Sequence, residues 1–347
     1  MNETPPFLPV HVISGFLGSG KTTLLKSVLA SEAFGDSAVL INEFGDMGLD
    51  DRLLGEIAED TVLLSSGCVC CTIRGELSDA LRRLLSQRQN GEIPAFQRVV
   101  LETTGLADPG PIASTITADP VLRHHLRPGT NLTLVDAVNA IESRQRHPVW
   151  EAQVAVADKL VISKTDLVDT SRIDHIHDLL NTINPAAQRL EREALDQCSD
   201  TLFASGPHLE RFTHSQAKTW LGPWRKTVDP EKSSHLSDML SFRLAFDGEL
   251  DWTCFGLWLS MLLNRHGNDI MRVKGVLHVK DDHRPVVLHG VQHTVHPPEH
   301  IETWPDDDHR SELIFITRGI TAMRVADSLD TFMRTVSDHP CPRISHA

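Results

Sequence analysis

The chain has 347 residues, 40% of them hydrophobic and 23% charged, and a formal net charge of -14. That length argues for two domains around separate cores, and the composition is that of a soluble globular protein. The acidic balance, with no stretch dense in Lys or Arg, argues against nucleic acid or an anionic membrane as the partner.

Residues 1–9 lack a basic segment followed by an apolar run, and nothing approaches the roughly 18 apolar residues of a membrane helix, so neither a signal peptide nor a span is expected. A cytoplasmic location follows as the expectation. There, cysteines serve as metal ligands or reactive thiols more often than as disulfides. Of the six cysteines, Cys68, Cys70 and Cys71 fall together, whereas Cys198, Cys254 and Cys341 are scattered.

Residues 9–14 (PVHVIS) read as a buried strand and 22–30 as a helix. Residues 37–41 form a second apolar strand and 61–64 a short third. Leu77, Leu81, Leu84 and Leu85 recur at helical spacing within 76–89. Residues 98–101, 131–135 and 159–162 are further strands, with helical stretches between them. Strands alternating with helices predict βαβ units and a mostly parallel sheet covered on both faces. After Phe203 the pattern loosens, and residues 206–236 read as a linker. A second α+β unit follows: a strand at 240–246, a helix at 251–265 capped by Asp251, strands at 270–279, 285–295 and 312–317, and a closing helix at 321–336. The expected division is an α/β domain at 1–205, the linker, an α+β domain at 237–336 and a tail at 337–347.

Gly15-Phe16-Leu17-Gly18-Ser19-Gly20-Lys21-Thr22 fits the phosphate-loop pattern, directly between a strand and a helix. Gly15, Gly18 and Gly20 let the backbone curl, so that N–H groups, including that of Ser19, point at phosphate oxygens. The following helix presents its positive end to the same anion. Lys21 bridges the β- and γ-phosphates, and the Thr22 hydroxyl ligates Mg²⁺.

Ser163-Lys164-Thr165-Asp166 follows a late strand. An Asp at this point accepts from the guanine N1 and N2 donors, and adenine lacks that pair, so GTP is favoured over ATP. The Lys164 stem packs along the base. The usual first residue of this motif is Asn; here it is Ser163. Glu102-Thr103-Thr104-Gly105 follows another strand. A carboxylate there holds Mg²⁺ directly or through water, and Gly105 gives its N–H to the γ-phosphate as the nucleotide-sensing element.

Gly67-Cys68-Val69-Cys70-Cys71 is the most unusual feature. Neutral thiols gain little from such crowding, whereas a soft cation gains several thiolate bonds. Zn²⁺ wants four ligands, so two or three thiolates leave room for a carboxylate, His, water or a client group. Cu⁺ and Co²⁺ fit as well. The same cluster is compatible with buried structural cysteines, a redox dithiol or a closed zinc clip.

Together these residues resemble the CobW-type P-loop GTPases, a family of metallochaperones and metal-insertion proteins. The matches are Ser14 through Thr23, Asn42-Glu43-Phe44-Gly45, the Gly67–Cys71 cluster, Glu102 through Pro109, Ser163 through Asp166, and Asn184-Pro185-Ala186-Ala187. Arg272-Val273-Lys274-Gly275 and Ser311 through Ile316 are similar to the family's C-terminal domain. The resemblance implies GTP hydrolysis, Mg²⁺, and a transition metal held by Cys68, Cys70 and Cys71, with Glu43 as the switch-region glutamate. It implies delivery of that metal to a client metalloprotein, or insertion into a cobalt enzyme or a cobalamin pathway. Many members carry a long His-rich tract, which is missing here. His289, His293, His296 and His300 are scattered, and a wet sheet edge accounts for them better than a metal buffer.

The thiols lie in sequence between Glu43, in a first switch, and Glu102 to Gly105, in a second, so GTP and Mg²⁺ are expected to control metal affinity. No glutamine stands where a Ras-type GTPase orients its attacking water, so slow intrinsic hydrolysis is expected. No catalytic base is assigned; Glu43, Asp46 and Asp108 are candidates. The competing readings are an ATP-dependent P-loop kinase and a non-catalytic, zinc-stabilised regulatory module. The sequence is compatible with a homo-oligomer and names neither the client nor the metal.

Overall fold

The computed structural model describes residues 7–31, 34–42, 62–66, 73–191, 202–203, 238–304, 308–336 and 343–346. The chain divides into two compact units, Met1–Ile176 with Arg189–Ala204, and His177–Gln188 with Ser205–Ala347. No helix of the described residues is long and apolar enough to cross a membrane.

The first unit is an α/β layer structure. Its strands are β1 (Leu8–Gly15), β2 (Ser37–Asn42), β3 (Val62–Ser66), β4 (Arg98–Glu102), β5 (Leu126–Asp136), β6 (Lys159–Ser163) and β7 (Gln188–Glu191), and they lie in the order β3-β2-β4-β1-β5-β6-β7. The pairings from β3 through to β6 are parallel. Alternate residues go to opposite faces. Val99 and Leu101 join Val10, Val12, Ala38 and Leu40 beneath α2 (Ile73–Gln89) and α3 (Gly110–Ala118). Val100 joins Ile13, Val39 and Leu134 beneath α1 (Lys21–Leu29). Both faces are covered, which is why these strands read as unbroken apolar runs.

Strand β5 begins earlier than the apolar run at 131–135 indicates. Pro128 and Gly129 obscure its start, and the ladder takes them up by a register shift opposite Val10 to Val12. There the Thr130 N–H turns to His11 Nδ1 at 3.0 Å. Helices α4 (Ala140–Arg146) and α5 (Pro148–Val156) follow β5, and α6 (Thr170–Ile183) follows β6.

At the amino end of β6, away from the phosphate loop, the Lys159 ammonium is buried. Burial lowers its pKa from 10.5 to about 8, against the opposing pull of Asp158. Between these two values the unfolded chain holds the extra proton, so stability rises with pH across that window. Below pH 8 the full cost of burying the charge remains. Lys159→Met should therefore flatten that rise, which for Lys159 amounts to about 3 kcal/mol between pH 8 and 10.5. Urea unfolding at pH 7, 8.5 and 10 tests this; parallel curves for the two proteins would refute it.

The second unit is an antiparallel sheet with helices on one face. It comprises β8 (Met239–Asp247), α7 (Trp252–His266), β9 (Ile270–Leu277), β10 (Val286–Val291), β11 (Thr294–Val295), β12 (Glu299–His300), β13 (Ser311–Arg318), α8 (Ala322–Val336) and β14 (Arg343–His346). The order is β11-β10-β9-β13-β8-β14, with β12 on β10. Asp251 caps α7 as expected, accepting the Cys254 N–H at 2.9 Å. Val325, Leu329 and Met333 turn one stripe of α8 onto Phe242, Phe255, Trp258 and Phe315.

Three expectations change here. The single strand expected at 285–295 is a hairpin, because Gln292 takes a φ of 50° and folds Thr294 back onto Val291. Within the expected tail, Arg343–His346 pairs with β8. Residues 177–188, inside the expected first domain, group with the second unit. Ala186 packs with Val276, Val287 and Ile314, and its carbonyl accepts from Lys274 Nζ at 3.3 Å.

Candidate functional site

The site is built where β1 ends at the middle of the parallel sheet, between β4 and β5. Ligands of open α/β sheets bind outside the carboxyl ends of such strands. Gly15, Gly18 and Gly20 have φ of 138°, 72° and 94°, which favour glycine. At Gly15 a Cβ would lie 2.5 Å from the Leu134 carbonyl oxygen, so the loop crosses β5 with no room for a side chain. Helix α1 then starts at Lys21, with no side-chain cap and no acidic residue in its first turn. Its amino end keeps its positive field for an anion. Lys21 is buried and donates to the Phe16 carbonyl at 3.3 Å. The buried Ser19 Oγ makes no hydrogen bond among the described residues. Thr23 is exposed on the first turn.

Thr22 and Glu102, 80 residues apart in sequence, meet: Thr22 Oγ1 donates to Glu102 Oε1 at 2.7 Å. A buried carboxylate beside a hydroxyl, both oxygen donors, suits a hard divalent cation such as Mg²⁺. Gly105 lies directly against the phosphate loop, where a Cβ would fall 2.5 Å from the Leu17 nitrogen. Thr104 braces this turn, its hydroxyl accepting the Leu106 N–H at 3.1 Å and its carbonyl the Ala107 N–H at 3.2 Å. Asp108 Oδ1 accepts the Gly110 N–H at 2.9 Å, next to the first turn of α3.

The segment Ser163–Asp166 adjoins the loop from the other side. Ser163, the departure from the usual Asn, donates through Oγ to the Ser19 carbonyl at 2.8 Å, tying β6 to the phosphate loop. Lys164 sits at φ 60°, and its Nζ pairs with Asp136 Oδ2 at 2.7 Å. Asp136 also accepts from the Val138 N–H and from Asn139 Nδ2, each at 2.9 Å. Burial raises its pKa, but the bonds from Lys164, Asn139 and Val138 outweigh that and hold the carboxyl below its ordinary range. Asp166 stands exposed in the short turn that follows.

Sequence reasoning missed Asp136, Thr133 and Gln153. Ser14 Oγ and Thr133 Oγ1 are 2.8 Å apart, and Thr133 Oγ1 also donates to the Gln153 carbonyl at 3.0 Å. The available signals were a strand-end carboxylate at Asp136 and a lone Gln within an apolar helix at Gln153.

Cys68, Cys70, Cys71, Glu43 and Asp46 lie outside the described residues. Among the described residues, no group of three His, Cys, Asp or Glu could hold a metal ion. His289, His293, His296 and His300 of the second unit divide into pairs. His289 and His296 are buried and stacked, with ring centroids 4.2 Å apart, which corrects the wet-edge expectation for these two. His293 and His300 are exposed; His293 Nδ1 lies 3.0 Å from the Leu263 carbonyl, and His300 Nδ1 lies 3.2 Å from Asp282 Oδ2.

A central strand, a glycine-rich loop leading into a helix, and a Thr–carboxylate pair at the carboxyl ends of parallel strands are the marks of a P-loop GTPase fold. Residues 9–191 match the CobW/HypB/UreG nucleotide-binding domain and residues 239–333 the cobalamin synthesis protein cobW C-terminal domain. The chain belongs to the CobW family of GTPases. It is 32% identical over 311 residues to the zinc chaperone YjiA of Escherichia coli, covering 89% of this chain and 93% of that one. It is 35% identical over 204 residues to the zinc-regulated GTPase metalloprotein activator 1 of Schizosaccharomyces pombe, covering 56% and 48%. The solved structure of zinc-bound YjiA GTPase from E. coli superposes with a TM-score of 0.71 at 26% identity, over 94% of this chain and 99% of that one.

Proposed function

We propose that this GTPase is a metallochaperone that carries Zn²⁺ through Cys68, Cys70, Cys71 and Glu43 and passes it to a client metalloprotein under nucleotide control. The observation that carries the reading is the meeting of Thr22, Glu102 and Gly105 at the phosphate loop. This arrangement joins the γ-phosphate position to the strand-end loop, and the thiol motif lies in the chain between them. Relatives named as zinc chaperones, similar along nearly the whole chain, support Zn²⁺ as the metal.

In this reading the loop N–H groups and Lys21 bind the triphosphate, and Asp166 and Lys164 hold guanine. Thr22 and Glu102 hold Mg²⁺, which when bound neutralises charge on the β- and γ-phosphates. Gly105 meets the γ-phosphate through its N–H. Loss of that contact on hydrolysis frees the segment before it, and the thiols change their hold on the metal. Coupling of this kind is reciprocal.

Zn²⁺ titrations of the full chain with Mg²⁺ and either a non-hydrolysable GTP analogue or GDP test the reading. The expected affinities differ by about 5- to 150-fold, the usual span of such coupling. Identical affinities would refute nucleotide control. Parallel titrations with Co²⁺ and Cu⁺ decide the metal, and tighter, nucleotide-dependent binding of either would displace Zn²⁺.

A further inference from the structure

Helix α5 touches the nucleotide machinery at two points that the reading above leaves unused. At its start, the His147 ring packs on Phe16 of the phosphate loop, with centroids 4.5 Å apart. In its middle, the Gln153 side chain is 1% exposed and aims at the loop after β4. Gln153 Nε2 donates to the Gly105 carbonyl at 3.1 Å and to the Ala107 carbonyl at 2.9 Å, 48 and 46 residues away in sequence. Its own backbone is fixed from the other side, because its carbonyl accepts from Thr133, which in turn meets Ser14, the residue just before the phosphate loop.

The bonds are specific about orientation. A trans peptide sets its N–H opposite its C=O. The Gly105–Leu106 peptide has its carbonyl on Gln153 and its N–H on Thr104 Oγ1, so it is clamped at both ends. The preceding peptide has its Thr104 carbonyl on the Ala107 N–H. The Gly105 N–H is therefore aimed to the opposite side of that peptide, by a loop whose neighbouring carbonyls a single buried amide holds. An amide in an apolar helix costs desolvation unless its donors are used, and here both bonds of the donor nitrogen go to one loop.

We infer that Gln153 is a positioning residue for GTP hydrolysis: it holds the loop at Gly105–Ala107 so that the Gly105 N–H meets the γ-phosphate, and it ties that loop to β1 through Thr133 and Ser14. The inference rests on the proposed sensing role of Gly105. GDP carries no γ-phosphate, so its binding does not depend on Gln153.

Gln153→Leu keeps the volume and removes the donors; Gln153→Met is the second variant if Leu folds poorly. Val154→Ala, a packing change on the same helix, is the control, and Gly105→Ala tests the sensing role separately. In the full chain, with Mg²⁺, the Gln153 variants should lower kcat and the affinity for a GTP analogue by about tenfold or more, the scale of a misplaced contact, with GDP affinity held within twofold. Val154→Ala should lower the melting temperature alone. Equal loss of both nucleotides, or of neither, in the Gln153 variants would overturn the inference. If Gly105→Ala leaves the analogue-to-GDP ratio unchanged, the sensing role fails; if it collapses the ratio and the Gln153 variants do not, only the positioning role fails.

Discussion

Lys21→Ala is expected to reduce GTP turnover by roughly 10²- to 10³-fold, the cost of removing one pre-placed charge from a developing phosphate. The side chain is buried inside its own loop and reaches back to the Phe16 carbonyl at 3.3 Å, a long bond. Its ammonium is thus held over the loop before the nucleotide arrives, and its desolvated charge gains most when the triphosphate replaces water. Folding should change little: Lys21 is the first residue of α1, and alanine is a better helix former there. Lys21→Arg should not rescue, because a planar guanidinium cannot take the place of a compact ammonium in a loop this closed. Single-turnover hydrolysis beside thermal unfolding measures both quantities. Turnover within twofold of the parent, at unchanged stability, would remove Lys21 from the phosphate site.

The parts of this site that could be read from sequence are those whose chemistry is local. The phosphate loop needs closely spaced glycines between a strand and a helix, and Gly15, Gly18 and Gly20 supply them. Glu102 ends β4, where the sheet presents carboxylates to one edge, and Asp166 lies in the short turn after β6. Other parts depend on contacts between distant segments. Gln153 finds its partners 46 and 48 residues away. Ser163 looked like a weakened guanine motif; in the fold its hydroxyl reaches a carbonyl 144 residues away, a bond that no reading of four residues contains. The same holds for the second unit. Lys274, a charged residue within a strand, is buried, with its Nζ at 3.3 Å from the Ala186 carbonyl. His289 and His296 read as a wet edge because the hairpin that stacks them turns on Gln292, an unusual residue at positive φ.

Gly275→Ala is expected to destabilise the second unit by about 3 kcal/mol, the upper range for forcing a methyl into a filled core. Gly275 lies in β9 between Leu288 of β10 and Leu313 of β13. A Cβ there would overlap the Glu312 carbonyl oxygen and come within 2.8 Å of Leu313 Cδ2. The first obstacle is backbone, so no rotamer change relieves it, and β13 would have to move off β9. That shift would loosen Leu313 and Phe315 in the core, and would disturb Glu312, which is fully buried and paired with Arg243 at 3.1 Å. The match at Arg272 to Gly275 thereby acquires a physical content: alternation sends Arg272 and Lys274 to one buried face and Val273 to the helix-covered core, and Gly275 lets β13 close over both. Urea unfolding of the full chain, followed by near-ultraviolet circular dichroism, should show an earlier transition, with GTP affinity within twofold of the parent because the phosphate loop belongs to the other unit. An unchanged urea midpoint would mean that β9 and β13 approach less closely than this register requires.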